Sequence, residues 1–244
     1  MTATASAHPQ PRKQTVRPSL WRVLASKYVD LLICGFIAWV ICSTFAWHSL
    51  WTSLTLFLWV GEWFWCRDRL NPTAGEYCLG IRYLTSSSSQ VVADIQVINA
   101  KLRLNGFILT AGVVDLTLAF LFLCGWTFLG KAVLFGLDFG PPLSLLYWVL
   151  SGFLFFLCSS HLLCGSKNAL WSVPLVHAWF MADFLKSLGV WTELFQSDLF
   201  FTSWMSAQVI HMAKFQSPLL LGLFGLWSLF VFGVVFFSRK LFVN

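Results

Sequence analysis

Residues 19–47 read SLWRVLASKYVDLLICGFIAWVICSTFAW, and the reading of this stretch decides the fold. Arg22 and Lys27 lie at its start, a lone acid, Asp30, sits just inside it, and the remainder is apolar. A helix crosses a hydrocarbon core of roughly 30 Å with about 20 such residues. A carboxylate at that depth costs a few kcal/mol or more, so Asp30 is expected to face protein, water or a cation. The stretch therefore predicts a transmembrane helix carrying a placed charge.

The whole chain agrees with that reading. Of its 244 residues 58% are hydrophobic and only 11% are charged, and the mean hydropathy is +0.74, which excludes an ordinary soluble domain. The 25 Phe, 14 Trp and 4 Tyr suit helices whose ends anchor at lipid headgroups. The net charge of +6 comes from basic residues that flank apolar runs, a topology signal rather than a nucleic-acid surface. Cysteines 34, 42, 66, 78, 124, 158 and 164 form no C-x-x-C pair, and several fall in apolar runs where Cys acts as a small hydrophobe. Residues 1–18 are polar, with Pro9, Pro11, Pro18, Arg12, Lys13 and Arg17. They read as a flexible basic cytoplasmic tail, with the first span acting as signal anchor.

Taken in order, the first span covers residues 28–47 and a second covers 50–66, with Glu62 near the latter's cytoplasmic end. Residues 67–103 are the most polar part, holding Arg67, Arg69, Arg82, Lys101 and Arg103, and return to the side of the tail. Within them Val91, Ile95, Ile98 and Leu102 recur at helical spacing, which predicts an interfacial amphipathic helix over residues 90–104. A third span covers 105–129 and contains Asp115; 131–142 is an external turn; a fourth span covers 143–163. The last clear span is 218–237, followed by Arg239 and Lys240. The segment 170–184, interrupted by Pro174 and His177, is either a short further crossing or a cytoplasmic surface element, so the count is five or six. Residues 191–214 read as an interfacial segment.

The motif 71–82, NPTAGEYCLGIR, together with Arg22 and Asp30, resembles the RDD family of small membrane proteins. In that family a helical hairpin is followed by a cytoplasmic G-x-T-x-G-K-x-x-x-G-I/L-R. Thr73, Gly75, Gly80, Ile81 and Arg82 stand at the matching positions, whereas Asn71 and Glu76 depart from the usual Gly and Lys. The resemblance covers residues 19–180, and 181–244 form a C-terminal extension with an interfacial segment and the final span. The family's closing A-L-H-D-x-x-A-G-T-x-V is nearest to residues 169–179, where Trp171 and Ser172 replace His and Asp. The resemblance thus implies a degenerate member whose second family Asp is missing, and it places this segment at the cytoplasmic face, against the charge argument for six crossings. It implies a fold more than a function, although ion or small-solute transport has been suggested for the family.

The expected architecture is all-α, a polytopic membrane helical bundle of five or six transmembrane helices plus interfacial amphipathic helices. Asp30, Glu62 and Asp115 share the cytoplasmic halves of their helices. They either line one cavity that carries a cation or protons, or are structural, Asp30 pairing with Arg22, Lys27 or Arg82. His161 or His177 at a helix end is a candidate ligand for a haem or chlorophyll-type pigment, with a structural role the alternative; otherwise no cofactor is expected. His8, His48 and His211 complete the histidines, with no i,i+4 pair and no H-E-x-x-H, so a metal site has no support. The chain has no G-x-S-x-G, P-loop, dinucleotide fingerprint or Ser/His/Asp set, and enzymatic activity is not expected. The expectation is a non-catalytic accessory subunit in the cell inner membrane, N-terminus cytoplasmic, partnered by lipid and other integral membrane proteins rather than nucleic acid. The alternative is a cation/proton antiporter or small-solute transporter.

Overall fold

The computed structural model describes residues 15–16, 18–45, 50–68, 71–85, 91–96, 105–196 and 207–243. Its helices are α1 (Leu20–Phe45), α2 (Trp51–Asp68), α3 (Ala74–Cys78), α4 (Gly106–Phe128), α5 (Leu143–Cys164), α6 (Ala169–Gln196) and α7 (Ala207–Val243). Helix dominates, as the apolar runs require: a backbone in hydrocarbon must satisfy its polar groups within its own segment. Among the described residues four stretches are long and apolar enough to cross a bilayer, namely Leu20–Phe45, Gly106–Gly125, Leu143–Cys164 and Gly222–Lys240.

α1 and α2 form an antiparallel hairpin, pinned where Trp51 Nε1 donates to the Gly35 carbonyl at 2.9 Å. α4 and α5 form a second, in which Gly152 permits close approach. A Cβ there would stand 2.6 Å from Leu123 Cγ and 2.9 Å from the Ala119 carbonyl oxygen. α1 runs beside α4, with Tyr28 hydrogen-bonded to Thr117 and the Phe36 ring tilted against Phe120 at 5.4 Å between centroids.

The core of the second half gathers Ile108 and Ala111 of α4, Cys158 and Leu162 of α5, Ala169 and Val173 of α6, and Val231, Val234, Val235 and Phe242 of α7. This cluster sets the starts of α4 and α6 beside the end of α7, and Asn105, the N-cap of α4, donates to Ser238 Oγ at 3.5 Å. The other end of the α4–α5 pair carries a hairpin of two short strands, β4 (Ala132–Leu134) and β5 (Leu137–Phe139). Trp148, Trp191 and Leu194 pack beneath it.

One expectation is corrected, and three others take a definite form. Residues 91–96 form a strand, not an amphipathic helix: β3 (Val91–Gln96) pairs antiparallel with β2 (Ile81–Thr85) and with the two-residue β1 (Thr15–Val16). β-Branched Val91, Val92 and Ile95 fit that ladder, and 97–104 lie outside the described residues. Residues 170–184 belong to one unbroken helix reaching Gln196; Pro174 falls in its second turn, where it removes only the bond to the Leu170 carbonyl. The interfacial segment expected at 191–214 is divided between the last turns of α6, where Trp191 and Leu194 are buried, and the first of α7; 197–206 lie outside the described residues. The turn expected at 131–142 takes the form of the β4–β5 hairpin.

Candidate functional site

The motif 71–82 builds a short helix locked against the first hairpin. Thr73 is the N-cap of α3, and with Glu76 it closes a capping box: Glu76 N donates to Thr73 Oγ1 at 3.3 Å and Thr73 N to Glu76 Oε2 at 3.0 Å. The two preceding N–H groups go to acids of α2 and α1. Ala74 N donates to Glu62 Oε1 at 2.9 Å, and Gly75 N donates to Asp30 Oδ1. Thr73 Oγ1 also donates to Asp30 Oδ2 at 2.7 Å. At the other end Arg22 Nη1 donates to the Leu79 carbonyl at 2.9 Å. Acids at the N-terminus and a guanidinium at the C-terminus both match the helix dipole.

Glycine is required twice here. A Cβ on Gly75 would collide with the Ser26 carbonyl and stand 2.8 Å from Asp30 Oδ1. Gly80 has φ +73, the left-handed conformation that ends α3. Ile81 is buried beside it, and Arg82 lies in β2 in register with Asp94.

Glu76 also accepts from Lys27 Nζ and from the Tyr83 hydroxyl, each at 2.7 Å, and Lys27 lies 3.6 Å from Asp30 Oδ2. Burial raises the Glu76 carboxyl, but the bonds from Lys27, Tyr83 and the Thr73 N–H outweigh it and hold the group below the usual carboxylate range. Burial, and then the bond to Glu76, pushes the Tyr83 phenol up. Glu62 further accepts from the Cys34 thiol at 3.5 Å.

Asp115 engages different partners from Asp30 and Glu62. Fully buried on α4, it meets His177 of α6, whose Nε2 lies 3.2 Å from Oδ2, and Trp227 of α7, whose Nε1 donates to Oδ1 at 3.0 Å. The His177 Nδ1 lies 3.4 Å from Ser228 Oγ, so both of its ring nitrogens already face polar partners; a pigment metal would have to displace one. His161 Nδ1 lies 2.7 Å from Ser172 Oγ at the α5–α6 turn. His211 has no described side chain.

Asp183 escaped the sequence reading as a site residue. Buried on α6, it accepts from Ser187 Oγ at 3.1 Å, the Tyr147 hydroxyl at 3.3 Å and the Phe135 N–H, while Gly136 N donates to Ser187 Oγ at 2.8 Å. Phe135 and Gly136 both have positive φ, 50° and 85°. The carboxylate thus fastens the β4–β5 turn onto α6. Among the described residues no group of three His, Cys, Asp or Glu side chains is placed to hold a metal ion.

The four apolar helices make the chain a helical membrane protein. Comparison with protein-family models, with curated proteins and with solved structures finds no match to it.

Proposed function

We propose that this chain is a non-catalytic accessory subunit of a larger membrane protein complex. One observation carries the reading: Asp30, Glu62, Asp115 and Asp183 each accept hydrogen bonds that tie one element of this chain to another. Acids used in this way are structural fastenings. The outer surface meanwhile presents large side chains, with Phe57 of α2 74%, Trp171 of α6 82% and Phe237 of α7 85% exposed, a composition able to pack on neighbouring helices as well as on lipid.

Membership of the RDD family over residues 19–180 is part of this proposal, as are six crossings by α1, α2, α4, α5, α6 and α7. Support for the sixth lies in α6, which starts beside Ile108 and Ala111 and reaches Phe135 and Gly136 at the opposite end of α4. An even count returns the C-terminus to the side of the basic N-terminal tail, the cytoplasmic side of the inner membrane under the positive-inside bias.

The test is gentle detergent extraction from the native membrane, native gel separation, mass spectrometry of the band and its absorption spectrum. Stoichiometric co-migration with defined membrane proteins is the expected result. Migration as a lone chain or small homo-oligomer overturns it, and visible absorption would return His161 and His177 to consideration as haem or chlorophyll-type pigment ligands.

A second reading, cation/proton antiport or small-solute transport through Asp30, Glu62 and Asp115, is favoured by the Asp115–His177 pair buried between helices. It requires ion flux by the purified protein in sealed liposomes that is lost in D115N; silent liposomes count against it.

A further inference from the structure

α1 and α4 start at the same end of the bundle and run the same way, touching at Tyr28 and Thr117 and again at Phe36 and Phe120. Nearer their starts they part around a crevice of about 630 Å³. Arg22 and Ala25 line one wall, and Gly106, Thr110, Val113 and Val114 the other. Ala25 and Val114 lie one turn before Tyr28 and Thr117, so that hydrogen bond closes the inner end. Trp21 and Phe107 flank the mouth and are 77% and 66% exposed. A tryptophan so placed marks the level of the lipid headgroups.

We propose that this crevice binds an anionic phospholipid, its phosphate drawn to Arg22 and one acyl chain laid along Ala25, Val113 and Val114. Charge sets the preference. Arg22 is buried and carries a guanidinium that stays protonated. The positive ends of two helix dipoles, those of α1 and α4, converge on the same place. A Cβ on Gly106 would meet nothing within 4 Å, so the first turn of α4 is open to the crevice. Ser19 Oγ accepts from the Arg22 N–H at 3.3 Å, and a hydroxyl that accepts keeps its own proton to donate. Among the described residues lining the crevice none is acidic. The acids nearest to Arg22 are engaged elsewhere, Asp30 by Thr73, Glu62 by the Ala74 N–H and Glu76 by Lys27. In the sequence Arg17 precedes α1, and Lys101 and Arg103 precede α4, basic flanks of the kind that attract anionic lipid.

A phospholipid brings both chemistries that the crevice asks for, a charged head at the level of Trp21 and a chain for the apolar walls. A soluble anion would leave Val113 and Val114 uncovered. A helix of a neighbouring protein would have to carry an acid of its own to Arg22. α1 meets the second half of the chain along α4, so a lipid seated between them braces the first hairpin and α3 against the rest. This holds whether the chain is a complex subunit or a transporter, because it concerns how the two halves are joined.

The experiment is native mass spectrometry of the full chain from neutral detergent micelles. The probes are phosphatidylglycerol, diacylglycerol with the same chains, and glycerol 3-phosphate. Phosphatidylglycerol should bind about tenfold or more tightly than diacylglycerol, the difference expected for hydrogen bonds to a charged group. Arg22→Gln keeps an N–H to donate towards the Leu79 carbonyl and should abolish that difference. Thr110 is exposed and its hydroxyl bonds to the Gly106 carbonyl of its own helix, so Thr110→Trp fills the crevice and should weaken phosphatidylglycerol by about tenfold. Should Arg22→Gln fail to fold, Thr110→Trp decides. Equal binding of phosphatidylglycerol and diacylglycerol overturns the proposal, as does an unchanged affinity in Thr110→Trp. Competition by glycerol 3-phosphate at equal concentration overturns it in favour of a soluble anion. A photo-crosslinking residue at position 110 that captures protein rather than phospholipid in the native membrane overturns it in favour of a neighbouring helix.

Discussion

Lys27 of α1 and Glu76 of α3 are joined Nζ to Oε1 at 2.7 Å, and the same carboxylate closes the capping box of α3 through the Thr73 N–H. One acid thereby fixes the helix's own start and its attachment to the membrane hairpin. Replacing Lys27 by Met removes the cation and leaves a buried carboxylate short of a partner. A loss of about 2 kcal/mol is expected, with Glu76→Gln recovering part of it in a double-mutant cycle read by unfolding in micelles.

The depressed Glu76 carboxyl sets an acid limit. Its folded value lies below 4.5, the ordinary value for the group, so its contribution is complete above that pH and disappears as pH falls through the folded value. Proteolysis in the segment that follows α2 should accelerate below about pH 4.5 in the wild type, and Glu76→Gln should show the faster cleavage already at neutral pH.

The two glycines of the motif should fail by different amounts. Gly80→Ala forces an L residue into the left-handed region at a cost of about 1–2 kcal/mol. Gly75→Ala drives a methyl group into backbone of α1, and the expected result is loss of folded protein on size-exclusion chromatography.

Asp183→Ala should free the β4–β5 turn. The loss is about 1–3 kcal/mol for the donors left unsatisfied. Proteolytic nicking between Leu134 and Leu137, added from the side opposite the N-terminus, reports it; an unchanged digestion pattern would remove Asp183 from this role.

The six-helix topology is checked by reporters. One fused after Asn244 and one fused ahead of α1 should be active on the same side of the membrane. Activity on opposite faces would mean an odd number of crossings and overturn the six-helix topology.

The helices were legible where one stretch carries its own signal. Apolar length alone placed the segments at 28–47, 105–129 and 143–163 close to α1, α4 and α5. β3 was not legible, because Val91 and Ile95 fit helical spacing too, and what decides for a strand is its pairing with residues 81–85. Thr73–Glu76 is a T-x-x-E capping signature present in the sequence, and the family comparison masks it because Glu76 stands there as a departure from a Lys. Asp115 and His177 each stand out in the sequence, for unrelated reasons. Their pairing across 62 positions leaves no trace in local periodicity.

The partners of these acids lie far downstream of them, and that sets an order of events at the ribosome. Asp30 is made 43 residues before Thr73 and 45 before Gly75. At about 5–20 residues per second the wait is about 2–9 s. Asp115 waits longer, 62 residues for His177 and 112 for Trp227. The nascent chain thus carries acids lacking these downstream donors until the α3 segment and then the last helix emerge. Each emergence should draw on the chain, and an arrest-peptide force profile would register one pull as α3 docks and a second as Trp227 arrives.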